Sequence, residues 1–111
     1  MNHLQRLTER YVQLFNAKDI PGLRNLFDDA IHLTDPGVDA AGKEKVVSAV
    51  RELFDSVNHI DFTAHKIYTS GNTSIIEFCL QLGKDKFVGV DILEWKDEKI
   101  TGLRAYLYKL K

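Results

Sequence analysis

The sequence contains a single cysteine, Cys79. One thiol cannot close an internal disulfide, so a disulfide-stapled fold is excluded and a reducing compartment is expected. No apolar run approaches the roughly 20 residues that a membrane-spanning helix requires. The opening Met1-Asn2-His3-Leu4-Gln5-Arg6 has no basic segment followed by an apolar one, so no secretion signal is expected and the cytoplasm is the expected location. Charge of one sign is lacking too: 15 Lys and Arg stand against 16 Asp and Glu, a net charge of -1. Nucleic acid and anionic membranes both select a basic surface, so neither is expected as a partner. His3, His32, His59 and His65 show no metal-ligand spacing and no Cys/His cluster, which argues against a zinc site. There is no Gly-rich phosphate loop, G-x-S-x-G elbow or H-E-x-x-H motif, and no repeat, low-complexity tract or linker. What is present is 111 residues, 44% hydrophobic and 28% charged, which is the make-up of one globular domain spanning 1–111. Such a chain must act through a pocket or an interface.

The first half of the chain has helical periodicity and the second half has the period of strands. Leu4, Leu7, Tyr11 and Leu14, with Phe15 alongside, recur on one face of an amphipathic helix that ends at Asn16-Ala17-Lys18. Asp19 is a good N-cap for a short second helix, with Pro21 in its first turn and Ile20, Leu23, Leu26 and Phe27 on its buried side. From Asp29 to Asp35 the period is two, with Ile31, Leu33 and Asp35 on one face, and Asp35-Pro36-Gly37 marks a turn. Gly42 precedes a third helix whose stripe is Val46, Val47, Val50, Leu53, Phe54 and Val57. Four longer strands follow, at about His59–Tyr68, Ser74–Leu82, Lys86–Trp95 and Ile100–Leu110, separated by turn signals short enough for hairpins. Helices followed by a meander predict an α+β domain with the helices on one face of a mainly antiparallel sheet.

Three polar side chains fall where this periodicity predicts burial. Tyr11 lies in the apolar stripe of the first helix, Asp35 follows Ile31 and Leu33, and Asp91 alternates with Phe87, Gly89, Leu93 and Trp95. The other face of that last strand carries Val88, Val90 and Ile92, so alternation alone leaves its inner side open. Each residue has a plain alternative: a core tyrosine bonded to a carbonyl, an aspartate serving the turn, an aspartate facing solvent or a subunit interface. Burying a carboxylate without partners nevertheless costs several kcal/mol or keeps it protonated, so the three together suggest a site. Cys79 shares a face with Glu77 and Gln81, has no base nearby in sequence and is not read as a nucleophile. His32 and His65 fall on outward faces. So do Arg104, Tyr106 and Tyr108, opposite Leu103, Ala105 and Leu107, where a subunit interface or a solvated surface fits equally.

Taken in order, Arg10-Tyr11-Val12-Gln13-Leu14-Phe15, Lys18-Asp19-Ile20, Leu26-Phe27-Asp28-Asp29-Ala30 and Thr34-Asp35-Pro36 resemble the nuclear transport factor 2-like superfamily. Gly42-Lys43-Glu44, Val90-Asp91-Ile92-Leu93-Glu94-Trp95 and Lys99-Ile100 extend the resemblance over nearly the whole chain, within the ketosteroid isomerase and SnoaL-like polyketide cyclase branch. The resemblance implies a cone, a cystatin-like α+β barrel in which a strongly curved sheet wraps three N-terminal helices around an apolar pocket. It also implies roles. In ketosteroid isomerases a helix tyrosine and a protonated aspartate hold the enolate oxygen while a second aspartate, before a proline, shuttles the proton. These positions fall on Tyr11, Asp91 and Asp35, and the chemistry calls for no metal or cofactor. Phe27 and Val50 stand where such enzymes often place supporting tyrosines, which turns the expectation away from steroids. The expected function is an isomerase or cyclase-like enzyme acting on a small apolar carbonyl compound. The alternative is a non-catalytic small-ligand-binding or dimerisation domain of the same fold, and a hydrolase or dehydratase ranks last because Arg104, His32 and His65 point outward. The pocket is expected to be lined by Leu14, Phe15, Leu33, Phe54, Phe78, Leu93, Leu103 and Leu107. A homodimer is expected through the outer sheet face that includes Arg104, Tyr106 and Tyr108.

Overall fold

The computed structural model describes residues 2–111. Helix α1 (His3–Asn16) starts where the Asn2 side chain accepts the Gln5 N–H, and buries Thr8, Tyr11, Leu14 and Phe15. Lys18 turns the chain with a φ of 52° and places its ammonium on the Phe54 and Val57 carbonyls. Helix α2 (Ile20–Leu26) is capped by Asp19, which accepts the Gly22 N–H. Glycine inside this helix has a packing reason: a Cβ on Gly22 would lie 2.5 Å from Cδ2 of Leu14, so its absence lets α2 close against α1.

Phe27, expected on the buried side of α2, instead has extended backbone (φ -85°, ψ 129°) and opens strand β1 (Phe27–Asp35). Its side chain is buried all the same, which is why helical spacing captured it. The segment after the Asp35-Pro36-Gly37 turn also holds a strand that the periodicity does not reveal. Strand β2 (Val38–Ala41) pairs antiparallel with β1 from Asp35↔Val38 to His32↔Ala41. Four residues are too few for a period to register. Helix α3 (Lys43–Ser56) then leads into the meander β3 (Ile60–Ser70), β4 (Thr73–Leu82), β5 (Asp85–Lys96) and β6 (Lys99–Lys109).

The sheet order is β2-β1-β6-β5-β4-β3, and every pairing is antiparallel except β1 with β6. The helices pack on its concave side, chiefly α1 on β3 and α3 on β1. Register shifts in three of the pairings, at Phe27/His32, Ala64/Lys66 and Glu94/Trp95, fit a curl that stays unclosed. The fold is thus the expected α+β cone. β6 approaches β5 closely at Gly89, where an added Cβ would lie 2.1 Å from the Tyr106 carbonyl oxygen and 2.6 Å from Cα of Leu107. One part of the core is polar yet fully bonded. The Thr8 hydroxyl reaches the Leu4 carbonyl and the Ser74 hydroxyl at 2.8 Å each, and Trp95 Nε1–H donates to Ser74 at 2.9 Å. This chain of bonds ties α1 to β4 and β5 without leaving a donor stranded.

Candidate functional site

Between the concave sheet and the helices lies a cavity of about 170 Å³. Tyr11 and Phe15 enter it from α1, Val50 and Leu53 from α3, Phe62 and Phe78 from β3 and β4, and Asp91 from β5. Leu33 and Asp35 of β1 and Leu103 and Leu107 of β6 form the opposite wall. The strand alternation left open which side of β5 is inner, and the structure answers it: Asp91, Leu93 and Trp95 are buried while Ile92 and Glu94 are only half-buried.

Tyr11 is 3% exposed and Asp91 is 7% exposed. Their neighbourhood is a cluster of rings, with Tyr11 edge-on to Phe62 at 6.3 Å and Phe62 against Phe15 and Phe78 at 5.0 and 5.1 Å. No fully enclosed polar side-chain atom among the described residues lacks a hydrogen-bond partner. The Tyr11 hydroxyl feels the charge of Asp91, the Asp91 carboxyl feels the charge of Asp35, and all three side chains line the cavity. Asp35 is placed differently. It is half-buried at the end of β1, its Oδ1 accepts the Gly37 N–H at 2.7 Å, and it lines both the cavity and a shallower depression beside Pro36, Gly37, Tyr108 and Lys109. Asp35 therefore stands at the mouth with one oxygen held by the turn.

Electrostatics separate the acids. Burial, and secondarily the Asp35 charge, push the Asp91 carboxyl up from 3.8 to about 7. Burial, followed by the Asp91 charge, raises the Tyr11 phenol well above its usual range. Tyr11 is then a neutral donor, and protonated Asp91 is a second donor next to it. Two donors facing an apolar hollow can hold an oxygen that is gaining negative charge, and a carboxylate at the mouth can take a proton. Among the described residues no arginine, lysine or histidine lines the cavity. Arg104 lies on the outer face, paired with Glu94 at 2.9 Å, while His32 pairs with Asp39 and His65 is exposed. Among the described residues no group of three or more His, Cys, Asp or Glu side chains could hold a metal ion. Cys79, opposite Thr63 and Val88, belongs to the outer face.

The structure thus brings Tyr11, Asp35 and Asp91 to one cavity, with Phe15, Leu33, Phe78, Leu103 and Leu107 of the expected lining. Three expected lining residues lie in the core but not in the wall. Leu14 packs towards Gly22 of α2, Phe54 stands edge-on to Phe15 at 5.1 Å, and Leu93 is wholly covered. Phe62, Val50 and Leu53 line the cavity as well, although they were not among the expected lining; Val50 and Leu53 come from the apolar stripe of α3. Val38 belongs to β2 and had no such signal.

Residues 8–103 match the SnoaL-like domain family. None of the curated proteins matches the chain. Among solved structures, a Kribbella flavida protein regarded as a ketosteroid isomerase superposes with a TM-score of 0.86 at 16% identity, covering 97% of this chain and 79% of that one. A Shewanella putrefaciens protein regarded as a SnoaL-like polyketide cyclase gives 0.84 at 14% identity, over 96% and 90% of the two chains. An epoxide hydrolase of the LEH-like type from M. tuberculosis gives 0.80 at 18% identity, over 93% and 80%. At these identities the likeness is one of fold. No helix among the described residues is long and apolar enough to cross a membrane.

Proposed function

The chain belongs to the SnoaL-like domain family, and from that premise and the chemistry of its cavity we propose that it is an isomerase- or cyclase-like enzyme acting on a small apolar carbonyl compound. Asp35 removes a proton from the carbon next to the carbonyl. The electron pair moves onto the carbonyl oxygen, which accepts hydrogen bonds from Tyr11 and from protonated Asp91. The proton on Asp35 then returns to another carbon, or the enolate carbon closes a ring by attacking a second carbonyl of the same molecule. The observation that carries this reading is the pair of buried polar groups, Tyr11 and Asp91, that share the wall of one apolar cavity with Asp35.

The test needs no knowledge of the natural substrate. Cyclohexanone in heavy water exchanges its α-protons when a base and an oxyanion site act on it, and NMR follows the loss of signal. Native protein should accelerate exchange over buffer, and Asp35→Asn should remove about a hundredfold or more of that acceleration. Equal exchange in native protein and Asp35→Asn, or none above buffer for any small ketone, overturns the proposal. A ketone that binds without exchanging would favour the second reading, a non-catalytic binding domain. That reading has its own support: Val50 lines the cavity and Phe27 opens β1, so neither gives the Tyr11 phenol a supporting hydroxyl.

A further inference from the structure

The charges around the cavity point to a second class of ligand. Among the described residues, two carboxyl groups, Asp35 and Asp91, and the Tyr11 phenol are the only titratable groups in its wall; α3, β2, β3, β4 and β6 contribute none. Lys109 lies in the depression outside the mouth and pairs with Asp85 at 3.3 Å. An anionic ligand would meet like charge at the entrance and again inside. A cation would meet Asp35 first and Asp91 at the end of its path, so the site draws positive charge inward.

The apolar part of the wall also suits a cation. Tyr11, Phe15, Phe62 and Phe78 all line the cavity. Their planes are inclined by 49° to 89° in neighbouring pairs, so the rings present faces in several directions. Aromatic faces attract cations, most strongly where water is excluded. The volume of about 170 Å³ limits the ligand to about the size of benzene, which fits a cavity of roughly 150 Å³.

We propose that this cavity binds a small hydrophobic ammonium ion, seated among the four rings with its N–H donated to the Asp91 carboxylate. A carbonyl ligand uses Asp91 as a donor; an ammonium ligand uses it as an acceptor. The two classes therefore require opposite protonation states of one side chain, which burial and Asp35 hold near the middle of the working range, at about 7. The inference does not depend on proton transfer taking place in the cavity.

The two classes are separated by titrating native protein with N-methylpiperidine, protonated between about pH 5.5 and 8.5, and with cyclohexanone, followed by calorimetry and amide NMR. The amine should bind about tenfold or more tightly at the upper end of that range, because below it Asp91 must first lose a proton. Saturating amine should also lower the titration midpoint of the Asp91 carboxyl carbon. Asp91→Asn should weaken the amine by about tenfold at pH 8 and flatten its pH profile. Amine affinity independent of pH, an unmoved Asp91 midpoint, or no amine binding at tens of millimolar overturns the inference, and all three are read on the native protein. Cyclohexanone bound alone leaves the carbonyl reading standing while this one falls. Amine bound alone leaves this one standing while the carbonyl reading falls.

Discussion

Burying the Asp91 carboxyl makes the stability of the fold depend on pH. Its native pKa of about 7 lies above the ordinary value of 3.8, so between those values the unfolded chain holds fewer protons than the folded one. The contribution of Asp91 to stability must then fall as pH rises from about 4 to about 7, and level off above that. Asp91→Asn removes the charge that burial opposes. It should unfold at higher urea than the native protein at pH 8, by an amount on the order of 1–4 kcal/mol, and show little of that gain at pH 4. A variant less stable than native at pH 8 would mean that Asp91 is not the strained group. Tyr11, Asp35 and Asp91 were legible in the sequence because a polar residue on an apolar stripe breaks the pattern. The side of β5 that faces inward was not, since Val88, Val90 and Ile92 are as apolar as Phe87, Leu93 and Trp95. Depth was not legible either. Periodicity tells inside from outside, yet Leu14, Phe54 and Leu93 are inside and behind the wall, while Phe62 is inside and in it.

Among the elements, helices and long strands announce themselves through many repeats of one period, and α1, α3 and the four strands of the meander fell close to their expected bounds. What escaped was short or borderline. β2 has four residues, and Phe27 ends one element and begins the next. Contacts between elements escaped entirely, and the glycines record them. Gly89 would be tolerated as alanine in a flat strand; here the methyl would strike the backbone of Tyr106 and Leu107, which belongs to the paired strand and cannot swing aside. Gly89→Ala should cost about 2 kcal/mol or more by thermal or urea unfolding, whereas Gly71→Ala, with open space around it, should lose only what its left-handed turn conformation demands, about 1 kcal/mol. Equal losses at the two positions would show that β6 does not press on Gly89.

The whole molecule presents one broad surface that a monomer would rarely leave bare. On the outer side of the sheet, Ile75, Val88, Val90 and Ile92 are only half-buried, and Tyr68, Tyr106 and Tyr108 are 45%, 57% and 65% exposed. We propose that two copies pair through this face, the Arg104–Glu94 ion pair lying within it. Sedimentation should give a dimer at micromolar concentration, and replacing Tyr106 and Tyr108 together by glutamate should give a folded monomer. A native monomer, or a dimer indifferent to those substitutions, would rule this out.

The parallel contact of β1 with β6 has a consequence in time as well as in space. Leu33 lies opposite Leu103 across that seam, and the two strands are joined through α3 and the rest of the meander. Loops of such length close slowly, because much chain entropy is lost before the first contact repays it. A chain emerging from the ribosome holds Tyr11 and Asp35 long before Leu103 and Leu107, and it has no enclosed cavity until the final strand arrives. Ligand binding would therefore report the completion of folding, and a chain cut short before β6 would keep the residues of the site without the space they surround.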